Sequence, residues 1–309
     1  MNAKPTRDAL GDEMLKLGLE HDDIYVIDCD VAKSCKTLEF AEKLPKQHVN
    51  VGISEQNAVG MAAGIATTGK VPFVVTYAIF GSMRACEQIR QEVCYTKLNV
   101  KILCSHGGLT PANDGASHQC IEDMGVLRTI PNMTVIMPAD YQSARKLIEK
   151  AYEYKGAVYL RFTRDAIPCI YDEEATFEIG KANKLREGDD LTIFANGDTV
   201  AIALEAVEML KQEGINATLY DMHTIKPLDV DAVKDAIEKT GKIITVEDHN
   251  IINGLGSAVC EVVAEAGKGQ VVRIGVQDRF GESAPYSELL KMNGITKENI
   301  CAKAKDLLK

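Results

Sequence analysis

Short apolar runs of strand character alternate with longer stretches of helical spacing along the chain, and the alternation is interrupted once. The first set of runs is Ile24 to Ile27, Val71 to Val75, Val100 to Leu103 and Val158 to Leu160. Between and around them lie helical patterns over Arg7 to Leu19, Glu55 to Thr67, Gly81 to Tyr95, Ile121 to Arg128 and Tyr141 to Tyr154. Strands that are apolar on both faces and joined through helices pair in parallel, and the helices then cover both faces of the sheet. Ser54 and Asp140 stand where two of these helices want an N-cap. The polar segment from Tyr171 to Asp190 breaks the pattern, which resumes over Leu191 to Phe194, Ala217 to Tyr220, Lys242 to Val246 and Val271 to Ile274. The expected fold is α/β with two domains, each a mostly parallel sheet flanked by helices, over residues 1–170 and 191–309 with a linker at 171–190. A length of 309 residues agrees with two domains of roughly 150 each.

Composition removes several functions. Acidic residues outnumber basic ones, 45 to 35, so a broad basic surface for nucleic acid is not expected. The nine cysteines are scattered, with no Cys-x-x-Cys, which points to neither a disulfide framework nor a zinc site and favours a reducing, cytoplasmic setting. The longest apolar run, Val71 to Phe80, is about half the length a membrane helix needs, and Met1 to Leu17 is too charged for a signal peptide.

Three segments can carry chemistry. Gly52-Ile-Ser-Glu-Gln-Asn57 opens a helix, and Glu55 there either complements the helix dipole or is a buried acid able to share a proton. The glycine-rich stretch Ser105 to His118 leaves the carboxyl end of a strand, where ligands bind in open parallel sheets. Its histidines and Asp114 suit metal binding, acid-base work or satisfaction of loop backbone groups. Tyr77, Phe80 and Met83, three apart after another strand, suit either a core or a wall for a flat heterocycle. Arg7, Ser34, His106 and Arg164 are unconnected in sequence, and phosphate is a sensible ligand for groups of this type.

In order and over essentially the whole chain, these segments resemble the C-terminal half of transketolase. The resemblance covers a pyrimidine-binding domain from about Thr6 to Pro168 and a transketolase C-terminal domain after it. It rests on Gly-Ile-Ser-Glu-Gln-Asn, on Asp114-Gly-Ala-Ser-His118, and on Ile225-Lys-Pro-Leu-Asp229, Val246-Glu-Asp-His-Asn250, Gly254-Leu-Gly-Ser257 and Asp278-Arg-Phe-Gly-Glu282. What it implies is a thiamine diphosphate enzyme that moves a two-carbon ketol unit from a ketose phosphate to an aldose phosphate. Glu55 would bond N1′ of the aminopyrimidine and favour its imino form. Tyr77, Phe80 and Met83 would pack on that ring, with Asp30 nearby. Asp114 and His118 would bind donor hydroxyls near the reacting carbon, and Arg7, Ser34, His106 and Arg164 would grip the distal phosphate. Asn113, Ala116 and Ser117 depart from the family's usual acid, proline and threonine, which bears on donor preference.

The family's Gly-Asp-Gly followed by Asn, its diphosphate and magnesium motif, is absent from this sequence. The resemblance therefore implies a split transketolase: an N-terminal partner subunit holds the diphosphate and Mg2+, this chain ligates no metal, and the two form an α2β2 assembly. Deoxyxylulose-phosphate synthase, the beta subunit of a 2-oxoacid dehydrogenase, and a non-catalytic binding protein of the same fold are the alternatives. Glu247, His249 and Arg279 show no route to the reacting centre, so the second domain is expected to serve packing and assembly.

Overall fold

The computed structural model describes residues 3–309. A seven-stranded sheet runs in the order Thr224–Lys226, Met133–Ile136, Ala157–Arg161, Lys101–Ser105, Val71–Tyr77, Ile24–Asp28, His48–Asn50. All neighbours are parallel except the first pair. The central strands Lys101–Ser105 and Ala157–Arg161 are buried along their whole length, as strands covered on both faces must be. The second sheet runs Gln270–Val276, Lys242–Asn250, Leu191–Ala195, Ala217–Asp221, Asn183–Arg186, parallel but for the last strand.

Several helices match the sequence pattern to within a residue or two: Thr6–Glu20, Glu55–Ala66, Tyr141–Glu153 and Asp123–Arg128, the last shorter than its pattern. Asp140 forms a reciprocal capping box with Ser143. Ser54 does not cap: its backbone lies at φ −151°, ψ 64°, and its side chain makes no bond to the first turn. The pattern over Gly81 to Tyr95 is not one α-helix. It is a π turn at Phe80–Arg84, a short α segment at Cys86–Gln88 and a second π turn at Ile89–Cys94. Two facts fit the wide first turn: a Cβ at Gly81 would stand 2.5 Å from Cys104 Sγ, and Ser82 Oγ donates to the Ala78 carbonyl. Such turns aim side chains that a regular helix would place elsewhere.

The polar segment between the two halves is not irregular throughout. Asn183–Arg186 is an edge strand whose residues alternate between half-buried and exposed, the arrangement an open sheet edge tolerates. Thr224–Lys226, from the second half of the chain, joins the edge of the larger sheet beside Met133–Ile136. The halves also share a buried seam. Arg161 and Asp123 form a fully buried ion pair at 3.0 Å, and Tyr159 donates its hydroxyl to Asp123 at 2.6 Å. Arg161 also donates to the Asp248 carbonyl, and the Gly125 amide donates to His249 Nε2 at 3.1 Å. No helix among the described residues is long and apolar enough to cross a membrane.

Candidate active site

Five parallel strands of the larger sheet deliver their carboxyl ends to one edge, and every residue singled out in the first half of the chain, except Arg7 on the first helix, follows such an end. Tyr77 closes one strand, and Ser105 closes its neighbour in register with it. His106 then turns to φ 63° and lies flat on Tyr77, ring centroids 3.9 Å apart. Phe80 stacks parallel to Tyr77 at 6.1 Å, and His118 meets Phe80 edge-on at 5.6 Å. Tyr77, Phe80, His106 and His118 thus form one aromatic cluster.

Cations border it. Arg7 Nη1 lies 3.5 Å from His106 Nε2 and donates to the Ser34 carbonyl at 3.1 Å. On the other nitrogen, His106 Nδ1 is 2.7 Å from Ser105 Oγ. With Nε2 facing a guanidinium, the proton belongs on Nδ1 and is donated to Ser105. Burial, reinforced by the Arg7 and Arg164 charges, pushes His106 down to about 3, so it is a neutral imidazole at physiological pH. Arg164 donates to Asp114 Oδ2 at 2.9 Å and to the Pro111 carbonyl at 2.7 Å, and it too acts on His106 through its charge. Arg7, Ser34, His106, Arg164 and Asp114 are therefore neighbours, although they are scattered over more than 150 residues of sequence.

Glu55 begins its helix and is only 2% exposed. Its Oε2 accepts from Arg84 Nη1 at 2.8 Å. Arg84 also lies over the Phe80 ring, 4.5 Å from its centroid, and so links the carboxylate to the aromatic cluster. Nothing in the spacing of the sequence points to Arg84, because its partner Glu55 lies 29 residues earlier, on another helix. Two expected members are exposed. Met83 is 44% exposed, and Asp30 is exposed at a left-handed φ of 65°, where Asn50 donates to it at 3.1 Å.

The glycine-rich loop is braced from the second domain. Asp248 accepts from the Leu109 amide at 2.9 Å, and Gln119 Nε2 donates to the Glu282 carbonyl at 2.8 Å. Ser283 donates to the Asn113 carbonyl at 2.6 Å. Gly108 meets two constraints at once: it adopts φ +60°, and a Cβ there would stand 2.1 Å from Asp248 Oδ2. Glu247 accepts from the Leu255 and Gly256 amides at 2.7 and 2.8 Å, holding the start of the following helix. The second domain thus reaches the loop through Asp248, Glu282 and Ser283, residues that spacing alone does not connect to it.

Comparison with known proteins agrees with this layout. Residues 2–169 match the family described as transketolase, pyrimidine binding domain, and residues 180–300 match transketolase, C-terminal domain. A transketolase C-terminal section of Methanocaldococcus jannaschii is 46% identical over 309 residues, covering 99% of this chain and 97% of its own. One subunit of the apulose-4-phosphate transketolase of Phocaeicola vulgatus is 40% identical, covering 98% of this chain and 97% of its own. A solved split-gene transketolase, described as an inactive beta4 tetramer, superimposes with a TM-score of 0.91 at 43% identity over 99% of both chains. The chain belongs to the transketolase family and corresponds, along its length, to the C-terminal section of the split form.

Proposed function

We propose that this chain supplies the pyrimidine side and the sugar-phosphate side of a thiamine diphosphate-dependent transketolase whose N-terminal partner holds the diphosphate and Mg2+. The observation that carries the reading is the buried Glu55 carboxylate at the head of its helix, joined through Arg84 to an aromatic cluster that itself touches a cationic pocket. The residues fit the cofactor's ring: a carboxylate nearly closed off from water suits a ring nitrogen that must gain a proton, and Tyr77 and Phe80 offer a flat apolar wall. When bound, thiamine diphosphate supplies the electron sink for cleaving and forming the bond beside a ketose carbonyl.

The chain's own groups divide the remaining work. Glu55 shares a proton with N1′ of the aminopyrimidine. Tyr77 and Phe80 orient the ring, with Met83 and Asp30 at its margin. His118 and Asp114 bond donor hydroxyls near the reacting carbon. Arg7 and Arg164, with Ser34 and the neutral His106, take the phosphate at the far end, where two guanidinium groups supply charge-assisted bonds without needing to titrate. A phosphorylated ketose as donor and an aldose phosphate as acceptor follow from that pocket. Among the described residues, no group of three or more His, Cys, Asp or Glu is placed to hold a metal ion. The α2β2 assembly and the cytoplasmic setting belong to the same proposal.

The test is ketol transfer from a ketose phosphate to an aldose phosphate by this chain mixed with its N-terminal partner, with and without thiamine diphosphate and Mg2+. Transfer that needs both chains and the cofactor supports the reading. Turnover by this chain alone removes the division of labour. Condensation of pyruvate with glyceraldehyde phosphate, in place of ketol transfer, assigns the site to synthase chemistry instead.

A further inference from the structure

Arg84 touches both residues that the proposed function sets against the pyrimidine ring. Its Nη1 donates to Glu55 Oε2 at 2.8 Å, and its guanidinium covers one face of Phe80 at 4.5 Å. Among the described residues, no hydrogen bond engages the other Glu55 oxygen, Oε1. A carboxylate has lone pairs on both oxygens, so one can be held by the protein while the other is presented to a ligand. A cation seated on one face of Phe80 fixes the tilt of that ring within the aromatic cluster. Arg84 stands four residues after Phe80 in the turn Phe80–Arg84, and its long side chain reaches both groups. Its side chain is 46% exposed, whereas that of Glu55 is 2% exposed, so the pair is a buried acid held from its solvent side.

We infer that Arg84 is the positioning residue of this site: it fixes the Glu55 carboxylate by Oε2 and holds the Phe80 ring by cation–π contact, so that Oε1 and the Phe80 ring are aligned together for the aminopyrimidine. It does not touch the cofactor or the sugar. The inference rests on the assignment of Glu55 and Phe80 to the pyrimidine. It goes beyond that assignment by making one side chain responsible for the geometry of both. The guanidinium is required for two reasons: a neutral side chain would leave Glu55 buried without a counter-charge, and an ammonium cannot lie flat on Phe80.

The experiment measures equilibrium binding of thiamine diphosphate with Mg2+ to the complex of this chain with its N-terminal partner. Arg84→Met should weaken binding about tenfold, the scale of one lost charge-assisted hydrogen bond. Arg84→Lys, which restores the charge but not the stacking, should fall between Met and wild type. In a Glu55→Gln background the Arg84→Met change should have a much smaller effect, because the shared target is gone. KM for the sugar phosphates should not move. Should the methionine variant fail to fold, as read by its thermal unfolding, Arg84→Gln carries the same expectation. Unchanged or tighter binding in Arg84→Met overturns the inference, as does an equal loss with and without Glu55. A wild-type complex that binds no thiamine diphosphate removes the underlying functional reading as well, and so is distinguishable from failure of the Arg84 role alone.

Discussion

His106 and Tyr77 lie face to face with ring centroids 3.9 Å apart, and the far edge of the same imidazole meets Arg7 at 3.5 Å. One histidine thereby separates an aromatic wall from a cationic pocket while touching both. The neutral state imposed on it by burial and by two neighbouring arginines suits that position, since a charged ring there would repel Arg7.

The phosphate pocket makes a specific kinetic prediction. Arg7→Ala and Arg164→Ala should each raise KM for a phosphorylated donor by about 10- to 100-fold, the scale of one or two charge-assisted hydrogen bonds, with a smaller change in kcat. A donor lacking the phosphate should be indifferent to either substitution. Because His106 is held down to about 3, steady-state kinetics of the reconstituted enzyme should show no inflection from it between pH 5 and 8. Equal losses with both kinds of donor would place these arginines elsewhere.

The buried ion pair beside the seam between the halves predicts a stability effect. Arg161 and Asp123 are both fully buried and paired, so removing one partner strands the other's charge. Arg161→Met should destabilise the chain by about 3–5 kcal/mol in denaturant unfolding. The double substitution Arg161→Met with Asp123→Leu should recover a large part of that loss. A single variant as stable as wild type would show that the ion pair contributes little.

The buried carboxyls set a direction for stability against pH. Burial pushes Asp221 up to about 8 and Glu247 up to about 7. A carboxyl whose pKa rises on folding binds its proton more tightly in the folded state, so its contribution is complete below the unfolded value near 4 and is lost as pH climbs through the folded value. His223 and His249, both pushed down to about 4 by burial, act the other way, and their contribution is complete above about 6.5. The two sets offset each other below that point. From pH 6.5 to 8 the contribution of these carboxyls should decline, by about 1–2 kcal/mol for Asp221, while Lys101, which burial pushes down to about 7, contributes in the opposite direction. Asp221→Asn should flatten the decline, as measured by chemical denaturation at each pH.

Much of this architecture is legible in the amino-acid sequence alone. Parallel strands announce themselves because burial on both faces makes them continuously apolar, as at residues 71–75, and Glu55 stands out because it is an acid opening a helix rich in small residues. What is not legible depends on contacts across distance. Arg84 pairs with Glu55 across 29 residues of sequence, from a π turn that leaves no periodic signature of its own. Thr224–Lys226 joins the far sheet with three residues, too few to show a period. Asp248 braces Leu109 from 139 residues away, so the Glu-Asp-His run of the second domain reads as isolated until the chain is folded. Met83 shares the spacing of Tyr77 and Phe80 and yet is exposed, while Asp30, which only the family resemblance points to, is exposed as well.

The most direct measurement concerns Glu55. In the complex with the N-terminal partner and saturating thiamine diphosphate, Glu55→Gln should lower the rate of ketol transfer at least about 100-fold, the usual scale for a lost proton-transfer group, while KM for the sugar phosphate stays near its wild-type value. Transfer at the wild-type rate by that variant would contradict the account.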